Sequence, residues 1–357
     1  MRDTASSTKE NASMAILISD MKPKIPNQKK AYNALNTRLG NYMAQVQNIY
    51  DNLCQSLSAV IESVGYDGGA EFSFSDYPEL KASVDNMMHN YASQMNNLIY
   101  NGVSAEWKES NLMQDLLARK VLKAYDFERG GENYTRYFQT NNDALKAFNN
   151  RKDNGMNLSK KLWVQSEQLK TEMECAISAA IERGTSAITL SKRLSQYLVD
   201  FPSMQASYTA KFGHAAKCRD CQYASMRLAR TEINMAYRTA EQERWKQFDF
   251  ILGYVVKLSK RHPAPDICDD LQGEYPKDFK FVGWHPNCMC YVIPIVMSDE
   301  EYYGPEEART SKMVSNVPEE FTNYMIEHEE RFSRSSSLPY FVKDNPKYIP
   351  FKIATRK

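Results

Sequence analysis

The sequence predicts an α+β protein that is predominantly α, with a helical N-terminal half joined to a small zinc-stapled α+β module. Three observations carry this. Apolar residues recur every three or four positions from Gln28 to Tyr125, two short β-rich runs stand at residues 253–259 and 290–296, and five of the seven cysteines crowd into residues 217–297. The first is the period of a helix buried on one face, and the second is the signature of strands. The third asks for a shared cause, because thiolate and neutral imidazole are the preferred ligands of tetrahedral zinc.

At 357 residues the chain has room for two or three domains. Forty-five basic side chains against forty-four acidic ones leave a net charge of +1, so bulk charge predicts no nucleic-acid partner and any electrostatic role must be local. No apolar run approaches the ~20 residues that span a bilayer, and the opening Met1-Arg2-Asp3-Thr4-Ala5-Ser6-Ser7 lacks the apolar core of a secretory signal. A cytoplasmic protein is expected, with no membrane partner. A reducing compartment keeps thiols available to metal.

Residues 1–27 read as a flexible polar arm with a short apolar patch at residues 14–18. Residues 28–150 read as an antiparallel helical domain. Leu35, Leu39, Val46, Tyr50, Leu53, Leu57 and Ile61 place one unbroken helix over 28–64, ended by Gly65, Gly68 and Gly69. Asp76-Tyr77-Pro78-Glu79 restarts a second helix, carrying Leu80, Val84, Met88, Tyr91, Met95 and Ile99, and a third is expected from about Ser104 to Tyr125. Met and Tyr stripes at this spacing are core packing seams. Asn, Gly, Asp and Arg thicken over 126–158 and mark a linker around a short helix.

A second region is expected over 155–298. Asn157 caps a helix reaching Ile181, and Gly184-Thr185-Ser186 ends it and begins another with Ile188, Leu190, Leu194 and Leu198. Cys221 to about Phe248 is a further helix without glycine or proline. On it Arg227, Arg230, Asn234, Arg238 and Glu241 share one stripe, which reads either as a solvated face or as a partner-binding face for phosphate or an acidic surface. Glu232 projects between two apolar flanks. A buried carboxylate needs an arginine, a hydrogen-bond set or a place beside a metal site, so its role is structural.

The runs at 253–259 and 290–296 are expected strands. Between them lies a loop of roughly thirty residues with four prolines, at 263, 265, 276 and 286. So long a loop inside a compact domain needs a staple. One zinc ligand set joins Cys268 with His285, Cys288 and Cys290, with His262 able to replace one of them; a less favoured set recruits Cys218 and Cys221. Buried unliganded thiols and disulfides are the alternatives, although a Cys288 to Cys290 disulfide would close a very small ring. Asp266, Asp269 and Asp270 stand nearby, so a metal-dependent hydrolase, most naturally a nuclease, can be built on the same His/Cys/Asp cluster. A sulfur-rich set favours a closed structural site over an open one, and no catalytic residue is assigned. Residues 299–334 turn acidic, with a helix expected from Pro318 to Phe332, and the residues that follow read as an extended arm that clips either onto its own fold or onto a neighbouring subunit.

The order of Arg227-Leu228-Ala229-Arg230-Thr231-Glu232-Ile233-Asn234, the strand-like Gly253-Tyr254-Val255-Val256, then Cys268, Leu271-Gln272-Gly273 and His285-Pro286-Asn287-Cys288-Met289-Cys290 resembles phage-Mu-F-like head morphogenesis proteins over roughly residues 155–297. Where that family often has a first cysteine before Leu-x-Gly this chain has Pro265, which makes His262 the natural substitute ligand, and where it often has arginine this chain has Met289. The resemblance implies a phage or prophage minor head protein, found in the virion and assembled in the bacterial host cytoplasm. It further implies portal and capsid proteins as partners, with packaged DNA as an open third.

Overall fold

The computed structural model describes residues 22–66, 68–127, 132–260, 264–335 and 337–352. The expected arm at 1–27 therefore lies mostly outside the described residues. Among them the chain is 65% helical with one small antiparallel sheet, an α+β fold dominated by helix.

Helix α1 (Gln28–Val64) is continuous for 37 residues and stops where Gly65 takes a φ of 68°. Next come two single 3-10 turns, Phe74–Asp76 and Pro78–Leu80, and then α2 (Lys81–Ala124), 44 residues in one piece. The second and third expected helices are thus a single helix. Gly102, at the expected break, is helical for a packing reason: a Cβ there would come within 2.5 Å of Ile233 Cδ1. Glycine permits the approach of Ile233, and the stability it costs within a helix is offset by that contact.

The linker region folds into α3 (Glu132–Arg136) and α4 (Asn142–Asn150). Asn157 accepts the Lys160 amide at 2.9 Å and caps α5 (Leu158–Ala180), and Ser186 caps α6 (Ala187–Val199) through the Thr189 amide. An additional helix, α7 (Phe201–Phe212), follows at once: Asp200 caps it, Pro202 occupies its first turn, and Gly213 closes it at φ 78°. Helices α5, α6 and α7 pack on one another. Helix α8 spans Cys221–Trp245.

Strand β1 (Ile251–Lys257) is central. It pairs with β2 (Gly273–Pro276) on one side and β3 (Tyr291–Val296) on the other, both antiparallel, with a register shift between Ile251 and Gly253 opposite β3. Pro294 falls in β3, an edge strand, where a missing N–H can be tolerated. The thirty-residue loop is therefore structured, holding the helical turn α9 (Ile267–Asp270) and β2. Four-residue elements without a clean period leave little trace in sequence.

Five short helices complete the chain: α10 (Asp299–Tyr303), α11 (Glu306–Ser311), α12 (Glu319–Glu327), α13 (Glu329–Arg334) and α14 (Tyr340–Lys343). The helix expected from Pro318 to Phe332 is split at His328, whose φ of −106° and ψ of 12° leave the helical region while its Nδ1 sits 2.9 Å from the Tyr324 carbonyl. The described residues of the C-terminal arm, up to 352, pack on the chain's own fold, one of the two placements expected for it. Phe341 and Val342 are buried, Phe341 meets Trp284 edge-on at 5.5 Å, and the Asn345 side chain bridges the Lys280 backbone at 2.6 and 2.9 Å.

Two compact units emerge, assembled from interleaved segments. The first takes the described residues of Met1–Asn36, Ala105–Lys146 and Asn234–Lys357; the second takes Thr37–Ser104 and Ala147–Ile233. The chain passes from the first unit to the second between Lys146 and Ala147, within the linker expected over 126–158, while residues 28–125 are divided between both units. An aromatic core fills the first, with Trp245, Tyr254, Tyr275, Phe279, Trp284 and Phe321 buried. In the second, Leu39, Val46, Ile99, Leu169, Met173, Ile177 and Leu194 are fully covered around a buried hydroxyl triad of Tyr50, Tyr91 and Ser225, whose oxygens lie 2.8 to 3.0 Å apart.

Candidate metal centre

Three backbone pieces of the first unit bring the ligand atoms together. Turn α9 presents Cys268. It is so short that it depends on its cap: Asp266 Oδ1 accepts the Cys268 amide at 2.7 Å, while Asp269 Oδ2 accepts the Asp266 amide at 2.8 Å. Two of the three candidate acids are therefore employed in holding Cys268. The His285–Cys290 knuckle supplies the rest, turned by Asn287 at φ 66° and by a Cys288 amide that donates to the His285 carbonyl at 3.1 Å.

The Cys268 and Cys288 sulfurs are 3.7 Å apart, and His285 Nε2 is 3.0 Å from Cys268 Sγ. Two sulfurs bound tetrahedrally at ~2.3 Å from one ion must stand ~3.8 Å apart. The sulfur pair already has that spacing. Ligand atoms of Cys268, His285 and Cys288 all lie within 4.8 Å of one another, and the buried Cys290 thiol neighbours this trio. Together they could hold a metal ion. His285 Nδ1 lies 2.6 Å from the Pro286 carbonyl, and with the proton on that nitrogen Nε2 would offer its lone pair to a metal. All three cysteines are buried; His285 stands at the rim, its side chain 31% exposed, with Asp266 Oδ2 3.1 Å from Nε2.

Arg238 organises the back of this site. It is 1% exposed, donates from Nη2 to the carbonyls of Cys288 (3.0 Å) and Cys290 (2.7 Å), and lies 4.0 Å from Cys288 Sγ. Asn234, one turn earlier, donates to the same Cys288 carbonyl at 3.1 Å and accepts from Arg238 Nε at 3.2 Å. Burial opposes ionisation of Cys288, yet hydrogen bonds from the other two thiols and the Arg238 charge hold its thiol well below the usual range. Gly283 completes the fit: at φ 118°, an added Cβ would lie 3.1 Å from Cys288 Cβ and 3.3 Å from Arg238 Nη1. Sequence reasoning missed Gly283 and the inward role of Arg238. A glycine two residues before the knuckle histidine, and an asparagine four before an arginine, were the available signals.

The other candidates are placed as follows. His262 lies outside the described residues. Cys218 neighbours Cys175, with Gln205 Nε2 3.9 Å from its sulfur, and Cys221 is buried with its amide donating to Glu172 Oε2 at 3.0 Å. The charged stripe on α8 is corrected. Arg227 is exposed and Arg230 half-buried, but Arg238 and Glu241 are fully buried, so Arg238 is no part of a partner-binding surface. Each helix face follows what packs on it, and the carbonyls of the knuckle draw Arg238 inward. Glu232 pairs with Arg151 and, at 3.8 Å, with Lys161. The Arg151 guanidinium also lies 3.6 Å over the Phe148 ring. No helix among the described residues is long and apolar enough to cross a membrane.

Compared with family models, with curated proteins and with solved structures, the chain finds no match.

Proposed function

We propose that the chain is a phage or prophage minor head protein acting in head morphogenesis, and that its Cys268, His285, Cys288 and Cys290 cluster holds one structural zinc ion. The observation that carries the zinc reading is the buried three-thiol, one-imidazole set backed by Arg238. Three thiolates and one divalent ion leave a charge of −1, and a buried arginine without a carboxylate ion pair of its own supplies the balance. Four protein ligands also fill a tetrahedron, the arrangement of structural rather than catalytic zinc. The ion would tie α9 to the knuckle and so close the loop between β1 and β3. The assembly role rests on the order of motifs along residues 155–297, with portal and capsid proteins, and packaged DNA, as the partners to test.

Native mass spectrometry of the purified chain tests the metal: one zinc per chain is expected, and a metal-free chain with unchanged melting in chelator would end the reading. Incorporation of tagged chain into particles, compared between the parent and Cys288→Ser, tests the role. A nuclease reading is favoured by one observation, the approach of Asp266 to His285 at the rim. It requires DNA cleavage that disappears in Asp266→Asn at unchanged zinc content.

A further inference from the structure

A cavity of about 170 Å³ opens in the first unit, and its lining is cationic and polar. Lys29, Asn33 and Asn36 reach it from one face of α1, Ser259 and Lys260 from the segment that leaves β1, and Tyr291 from the start of β3. Tyr32 and Met289 supply its apolar wall. No carboxylate among the described residues lines it. Among the described residues neither Lys29 nor Lys260 has an ion pair or hydrogen bond. Two lysine side chains border one concavity, and the first turn of α1 carries no acid but has Lys29 and Lys30 at the positive end of the helix dipole. Both features favour anionic charge in the cavity. The space corresponds to several waters at ~30 Å³ each, enough for a tetrahedral oxyanion but small for a larger organic ligand.

We propose that this pocket binds a phosphate group, with Lys29 and Lys260 as charged donors and the amides and hydroxyls around them as neutral ones. The site is distinct from the metal cluster, although Met289 lies between two of its cysteines. It stands whether or not the head-protein reading holds.

Isothermal titration calorimetry on the full chain, purified with its metal in phosphate-free buffer, tests it with inorganic phosphate, adenosine monophosphate and adenosine. Phosphate and the nucleotide should both bind, and adenosine should not. Tighter binding of the nucleotide identifies a nucleotide as the source of the group, and equal binding identifies free phosphate. Lys29→Gln and Lys260→Gln should each weaken phosphate about tenfold or more, the size of one lost charge-assisted bond. Lys30→Gln, an exposed neighbour outside the lining, should not. Both lining lysines are exposed, so neither change threatens the fold. Absence of phosphate binding at millimolar concentration, or equal weakening by all three substitutions, would overturn the proposal.

Discussion

Two groups of cysteines sit in two different electrostatic settings. Cys268, Cys288 and Cys290 lie against the buried cation Arg238, and Cys175, Cys218 and Cys221 lie near the buried acid Glu172. In the first, the Arg238 charge favours the Cys288 thiolate, while the Cys268 and Cys290 thiols beside it are pushed up. In the second, burial above all pushes the Cys221 thiol up, so it stays protonated, and Glu172 beside it keeps its own proton at neutral pH. The Cys-x2-Cys spacing of Cys218 and Cys221 is the commoner zinc signature, yet the cluster with metal geometry is the one beside arginine. The difference teaches that close spacing in sequence does not by itself assemble a ligand set: Cys268 and the His285–Cys290 knuckle meet through the fold, and among the described residues Cys218 and Cys221 join no such group.

The same substitution in both settings breaks the comparison most sharply. Cys288→Ser should cost more than about 4 kcal/mol, because losing one ligand releases the ion and with it the loop closure. Cys221→Ser should cost about 1 kcal/mol and leave zinc content unchanged. Thermal melting and metal analysis of the two variants decide between this and an equal effect. Arg238→Met comes next. It orphans the Cys288 and Cys290 carbonyls and removes the balancing charge, so a loss of about 3 kcal/mol with weakened zinc retention in a chelator competition is expected. Unaltered retention would show that the arginine only packs.

Glu172 gives the second setting its own test. Burial raises its carboxyl from 4.5 to about 8, and one of its oxygens has no hydrogen-bond partner among the described residues. The folded chain therefore keeps a proton that the unfolded chain releases above pH 4.5. The stability tied to that proton is complete below pH 4.5 and declines as pH rises to about 8. Glu172→Gln should flatten this decline and raise the melting temperature at pH 8, by about 1–2 kcal/mol of stability. A steeper decline in the variant would contradict the assignment. Asp269→Asn should have the smallest effect, at most about 1 kcal/mol from weakening the α9 cap, with zinc still bound at neutral pH. Loss of metal in this variant would mean that the cap, and not the thiols, governs the site.

Periodicity made the helical framework legible. The 37 residues of α1, the caps at Asn157 and Ser186, and the start of α8 at Cys221 all coincide with local signals, since helix pattern and capping act within a turn or two. Four of the clustered ligand candidates were legible as well, because cysteine and histidine are scarce and their crowding is visible without a fold. Local signals misled where a residue answers to a distant neighbour. Gly102 carries the mark of a break and serves Ile233; Arg238 carries the mark of a surface charge and serves carbonyls fifty residues away.

The sequence by itself determined the helix at 28–64, the helices begun at Asn157, Ser186 and Cys221, the two flanking strands and which residue types could bind metal, since those depend on spacing and side-chain chemistry along one segment. Tertiary structure alone decided which cysteines meet, which side of α8 is buried, how the C-terminal residues cover Trp284, and that the compact units interleave along the chain. Those outcomes depend on contacts between residues far apart in sequence. Such contacts form only where burial and hydrogen bonding outweigh the entropy of ordering the chain between them.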